Sequence, residues 1–284
     1  MFNFTLSAFA DEIDANLSKQ IEVLKKHDIA HMELRSIEGV NVSKFELPYA
    51  KEVKKILDDN GIKVSAIGSP IGKIRLDEDL DAHMDLLKHV IELAETFETK
   101  YIRLFSFYAP EGKALADCKN EVIENMNRMV DVAKDSSVIL LHENEKDIYG
   151  EKAKECLEVL KAVNSPKLRA TFDPANFVQV GQEVYPEAYD MLKDYIEYFH
   201  VKDAFFNSKN IVPAGYGDGK IKELIERLKA DNFNGFLSLE PHLYHFEGFA
   251  DLELNNDSGV QEVTEENEKE VKFALAVNSL KALL

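Results

Sequence analysis

The stretch Val138–Gly150, VILLHENEKDIYG, holds the unit from which the rest of the chain can be read. Val138–His142 suits a buried strand, and it runs directly into Glu143, Asn144 and Glu145. A helical pattern follows near 151–163. The unit is therefore a buried strand, a polar strand end and a helix. Taken alone, the polar end also reads as a strand meeting solvent.

The same unit recurs in both directions along the chain. FTLSAF (Phe4–Phe9) precedes a helical pattern near 14–27, and AHMELR precedes LPYAKEVKKILDDNG, where Pro48 suits a first helical turn and Gly61 an end. KVSAIG leads to Leu80–Phe97, in which Met84, Leu87, Ile91 and Ala94 recur at helical spacing. YIRLFSF leads to a helix over Leu115–Lys134, LRATFD to one near 186–194, and IEYFHVKDA to one from about Lys220. GFLSLE is followed by a long excursion and a last helix near 263–283, with Phe273, Val277, Leu280 and Leu284 on one face. Alternating β and α elements imply a parallel sheet, and eight such units fit a closed (β/α)8 TIM barrel of the α/β class. A doubly wound sheet is the competing layout, but no Gly-x-Gly-x-x-Gly turn follows the first strand. No shift in composition divides the chain, so residues 1–284 are expected to form a single domain.

Composition narrows the function. The formal net charge of -18 repels phosphate backbones, which argues against nucleic acid as a partner. No stretch approaches the ~18 apolar residues of a membrane span. The first residues lack the basic flank and apolar length of a signal peptide, so a cytoplasmic location is expected. Cys118 and Cys156 fall in helical segments and fit neither a disulfide framework nor a zinc spacing.

In a barrel the chemistry lies at the C-terminal ends of the strands. Strands five to eight close with HENE, TFDPAN, YFHVKDA and SLEPH, which present Glu143, Asp173, His200 and Glu240 to one rim. Each has an ordinary explanation: Asp173 before Pro174 suits a turn, His200 suits packing, and the glutamates suit a solvent boundary. As a set they read as metal ligands, because three packed carboxylates would repel one another unless a cation lay between them. Three oxygens and one imidazole suit one divalent ion, Mn²⁺ first, with Mg²⁺, Co²⁺ or Zn²⁺ also compatible. Arg103, Glu145, Asn176, Lys202 and His242 are candidates to contact a substrate, although Lys202 also suits a solvated rim. His142 joins them as a candidate, although strand alternation turns it away from Glu143 and toward a packing role.

These motifs carry a resemblance. LLHENE, TFDPAN, FHVKDA, PAGYGDGKI and FLSLEPH, in this order, resemble the xylose isomerase-like barrel superfamily, and within it the sugar phosphate isomerase/epimerase-like proteins. The resemblance spans essentially the whole chain. It implies a mononuclear metal site on Glu143, Asp173, His200 and Glu240, with Glu143 and Glu240 as acid and base on opposite faces of a small sugar or sugar phosphate. The implied reaction is proton transfer next to a carbonyl through a metal-bound enediolate, giving isomerisation or epimerisation. Loss of a β-hydroxyl from the same species would make the protein a lyase. A non-catalytic sugar-binding barrel is a further alternative, and a homo-oligomer is expected by the same resemblance.

Apurinic endonucleases of that superfamily hold extra histidines, where this chain has Asn176 and the run NIVPAGYGDG. This departure argues against DNA repair. Gly215, Gly217 and Gly219 suit either a phosphate cradle or a tight strand-to-helix turn. After Glu240, the aromatic cluster of His242, Tyr244, His245, Phe246 and Phe249 could close over a ligand, face a partner subunit or pack locally.

Overall fold

Eight short apolar segments become the eight parallel strands of a nearly closed barrel in a computed structural model that describes residues 4–243 and 266–284. The strands are β1 (Thr5–Ala8), β2 (His31–Leu34), β3 (Lys63–Gly68), β4 (Tyr101–Leu104), β5 (Ile139–Glu143), β6 (Leu168–Phe172), β7 (Ile196–Val201) and β8 (Phe236–Leu239). Each pairs in parallel with its neighbour in sequence from β2 to β8, and β8 pairs with β1. β1 and β2 lie side by side without a registered ladder. The strands are buried on both faces, which is why they read as continuous apolar runs rather than as alternating ones.

Amphipathic helices cover the outside. The principal ones are α1 (Leu17–Lys26), α2 (Leu47–Asp59), α3 (Leu80–Thr96), α4 (Lys119–Ala133) and α5 (Ala153–Val163). On α3 the residues Met84, Leu87, Ile91 and Ala94 are buried as their spacing predicts, and Asp79 caps the helix by accepting from Ala82 N. The segment expected as one helix over Leu115–Lys134 starts with a 3₁₀ turn at Leu115–Cys118 before α4.

The largest difference from expectation lies between β6 and β7. Instead of one helix near 186–194, α6 (Pro174–Gln179) starts directly after the strand, and α7 (Tyr189–Leu192) follows a wide turn at Val184–Ala188. Asp173 is the reason. Its Oδ1 accepts from Asn176 N at 2.9 Å and Pro174 occupies the first turn, so the supposed turn signal is a helix cap. α8 (Ile221–Ala230) and α9 (Glu266–Lys281) complete the layer. On α9, Phe273, Val277 and Leu280 are buried, but Leu284 is exposed. Among the described residues no helix is long and apolar enough to cross a membrane.

The loop after β7 answers the glycine question. The carboxylate of Asp203 accepts from Gly215 N and Gly217 N through Oδ2, both at 2.9 Å. Its Oδ1 accepts from Gly219 N at 2.8 Å and from Ala204 N at 2.9 Å. The phosphate-cradle reading is thereby corrected, because the amides are already taken by a carboxylate of the chain itself. Glycine is required by close approach: a Cβ at Gly217 would lie 2.4 Å from Asp203 Oδ1, and one at Gly219 would lie 2.7 Å from it.

Asp203→Asn and Gly217→Ala are each expected to lower stability by roughly 2–3 kcal/mol, the worth of hydrogen bonds to a charged group. Urea unfolding measures this. If both variants unfold at the wild-type urea concentration, the carboxylate is not what holds the loop.

Candidate metal centre

The ends of β5 to β8 meet at the C-terminal mouth. Glu143 is the last residue of β5, Asp173 caps α6 beside β6, His200 is on β7, and Glu240 follows β8. All four are buried, and one ligand atom from each lies within 4.8 Å of the others. His200 Nδ1 stands 2.9 Å from Glu143 Oε1, 3.4 Å from Glu240 Oε2 and 3.8 Å from Asp173 Oδ2. The ammonium of Lys202 lies 2.9 Å from Asp173 Oδ2 and 3.0 Å from Glu240 Oε2.

The electrostatics follow from this crowding. Burial disfavours a charged His200, yet Glu143 and Glu33 hold its pKa well above the ordinary 6.5. Burial raises the Glu143 carboxyl against the pull of His200 and Arg103. Burial also pushes Glu240 up, but Lys202, His242 and His200 together hold it well below the usual carboxylate range.

The residues present fit a divalent ion. Burial pushes the Glu12 carboxyl up to about 8, so it is neutral at pH 7. Around the centre the buried or half-buried carboxyl groups of Asp11, Glu33, Glu143, Glu145, Asp173 and Glu240 outnumber the cationic side chains of Arg35, Lys73, Arg103 and Lys202. Asp173 Oδ2 also receives no hydrogen bond of good geometry, although Lys202 is in ion-pair range. Glu143, Asp173, His200 and Glu240 would hold the ion, through three oxygens and one imidazole nitrogen.

Around this centre the fold gathers most of the residues expected to contact substrate. Arg103, Glu143, Glu145, Asn176, Lys202, Glu240 and His242 line one pocket, together with Arg35, Lys73, Phe105, Gln179 and Ile211. Arg103 Nε lies 3.3 Å from Glu143 Oε2, and its guanidinium sits 4.6 Å over the Phe105 ring. Asn176 Nδ2 donates to Asn144 O at 2.8 Å and to Glu143 Oε1 at 3.3 Å. Glu145 is tied to Lys73 at 3.1 Å. His242 has φ 45°, and its backbone N donates to Glu12 Oε2 at 2.8 Å. Asn144 bridges β5 to β6 by donating to Asp173 O and accepting from Asp173 N, each at 2.9 Å. Tyr244, His245, Phe246 and Phe249 lie outside the described residues.

His142 is not brought to the pocket. It is buried on the opposite face of β5, with Nε2 2.8 Å from Ser106 Oγ. A Cβ on Gly150 would lie 2.5 Å from its ring, so glycine is what lets the imidazole fit.

Sequence reasoning missed Glu33 and Arg35 on the β2 side, Asp11 and Glu12 after β1, and Lys73 after β3. Arg35 donates to Asp11 at 2.7 and 3.0 Å and to Glu240 Oε1 at 3.2 Å. A signal existed in HMELR, where a glutamate interrupts an apolar strand and an arginine ends it. Lys73 had none.

A family model described as xylose isomerase-like TIM barrel matches residues 21–269. The chain belongs to this family. Solved structures of similar fold include D-psicose 3-epimerase from Clostridium cellulolyticum H10 with D-tagatose, at 15% identity, TM-score 0.74 and coverage of 99% of this chain and 98% of that one. The probable 3-DHS dehydratase AsbF of Bacillus anthracis is 16% identical at TM-score 0.71, covering 98% of each chain. IOLI protein, solved with a zinc atom, is 15% identical at TM-score 0.72, covering 99% of this chain and 98% of that one. At such identities the likeness is one of fold. No curated protein sequence matches significantly.

Burial pushes the His142 imidazole from its ordinary 6.5 down to about 4, so the folded protein keeps it neutral where the unfolded chain takes up a proton. Stability present above pH 6.5 is therefore lost as pH falls toward 4, by roughly 3 kcal/mol from this group. His142→Gln is expected to flatten that stretch of the stability–pH curve. An unchanged slope in the variant removes His142 as its source.

Proposed function

We propose that the protein is a divalent-metal-dependent isomerase or epimerase of a small sugar or sugar phosphate, with Glu143 and Glu240 as the proton-transferring carboxylates. The observation that carries this reading is their arrangement. They come from β5 and β8, on either side of Asp173 and His200, and each is backed by an arginine: Arg103 behind Glu143 and Arg35 behind Glu240. Two carboxylates that are held rigidly and face one pocket suit removal of a proton at one place and its return at another.

The bound dication, with Mn²⁺ favoured over Mg²⁺, Co²⁺ or Zn²⁺, would polarise the substrate carbonyl and stabilise the negative charge that develops on its oxygen. One glutamate removes the proton from the carbon beside the carbonyl, and the other supplies a proton. Delivery to the opposite face of the same carbon gives an epimer, and delivery to the neighbouring carbon gives an isomer. Arg103, Glu145, Asn176, Lys202 and His242 line the same pocket and are assigned to binding and orienting the hydroxyl groups. In a lyase the Lys202 ammonium, 3.0 Å from Glu240 Oε2, would be the proton donor to a departing hydroxyl. With a dehydratase among the structures of similar fold, this keeps β-elimination as the second reading.

Elemental mass spectrometry should find roughly one divalent ion per chain, lost in both Asp173→Ala and Glu240→Ala. In D₂O the loaded enzyme should exchange solvent deuterium into a ketose, and Glu143→Gln and Glu240→Gln should each slow this by ~10²–10⁴-fold. A protein that takes up no metal when Mn²⁺ or Zn²⁺ is supplied, or whose two alanine variants keep it, contradicts the site. Loss of water from the substrate in place of exchange would select the lyase reading.

A further inference from the structure

Glu33 stands in the middle of β2, between Met32 and Leu34, and its side chain is fully buried. A carboxylate sealed from water is costly unless a charge or hydrogen-bond donor compensates it. The partner here is His200, whose Nε2 lies 3.1 Å from Glu33 Oε2 and 3.3 Å from Oε1. β2 and β7 are not ladder neighbours, so this contact spans the barrel interior beneath the mouth. The opposite edge of the same ring, Nδ1, is turned to Glu143, Glu240 and Asp173. Phe9 and Tyr198 pack edge-on against the imidazole at 5.3 and 5.9 Å between centroids, which fixes its plane.

A neutral imidazole carries one proton, and the nitrogen without it is the one that can bind a cation. An ionised carboxylate only accepts. With a cation held among the three carboxylates, Glu33 at Nε2 keeps the single proton there and leaves the Nδ1 lone pair for the cation. We infer that Glu33 is a positioning residue that sets the His200 tautomer and ring orientation, making Nδ1 the metal-binding nitrogen. The inference rests on the metal-centre reading and adds to it a residue from the opposite side of the barrel. Glu33 is fully buried and does not line the pocket, so it meets the site through His200.

The test compares wild type with Glu33→Gln and Glu33→Asp. Glutamine keeps the shape but can donate as well as accept, so the proton is no longer held at Nε2. Aspartate keeps the carboxylate on a shorter stem. Mn²⁺ and Zn²⁺ affinities by chelator competition should fall by roughly 10–100-fold in Glu33→Gln at unchanged far-ultraviolet circular dichroism, with partial recovery in Glu33→Asp. Nitrogen-15 NMR of the Zn²⁺-loaded wild type should show the His200 proton on Nε2 and coordination at Nδ1.

Glu33→Gln binding as tightly as a metal-binding wild type overturns this inference alone, as does a wild-type proton on Nδ1. A wild type that binds neither metal overturns it together with the metal-centre reading. If Glu33→Gln fails to fold, the wild-type spectrum and Glu33→Asp still decide the matter.

Discussion

Buried carboxylates packed against one another require positive charge between them, and the upper half of this barrel is organised around that requirement. Glu143, Asp173 and Glu240 converge on His200 Nδ1, while Glu33 approaches the same ring from below. Repulsion at these distances in a low-dielectric site would drive the carboxyl groups to protonate or the strands to part. Lys202 and a charged His200 balance part of this charge in the protein alone, and a dication bound in place of the His200 proton would balance more of it. Arg35 and Arg103 then do a different task. Each pins the outward oxygen of one glutamate, so that the other oxygen stays directed at the centre.

Holding such an arrangement needs a frame that does not yield. The strand backbones provide most of it, since each of the four candidate ligands stands on a strand or within one residue of a strand end. Side-chain amides add cross-links where the ladder stops. Asn144 ties β5 to the start of α6 through both backbone groups of Asp173, and Asn176 returns from α6 to Glu143. Beyond β7, Asp203 gathers the glycine loop around its carboxylate.

Much of this was legible in the chain, and the reasons differ by residue. The alternation of apolar runs with residues such as Met84, Leu87, Ile91 and Ala94 at helical spacing revealed the barrel, because burial on one helix face and on both strand faces leaves a periodic mark. The irregular segment between β6 and β7 left a weaker mark: α6 has only six residues, and its start was hidden in a dipeptide that equally suits a turn. Leu284 obeyed the helical period and still lies exposed, because the helix ends at Lys281.

The sequence by itself determined the fold class and the residue types at the strand ends, because both depend on local pattern: apolar periodicity, and polar residues where each strand stops. Only the tertiary structure decided which groups face each other. Glu33 meets His200 across 167 residues, and Arg35 meets Glu240 across 205. The glycines that looked like an anion cradle found their anion in Asp203, and His142, next in sequence to Glu143, turned the other way to Ser106. Such pairings arise from barrel closure, which brings distant strands to one axis. Closure leaves no periodicity in the chain from which they could be read.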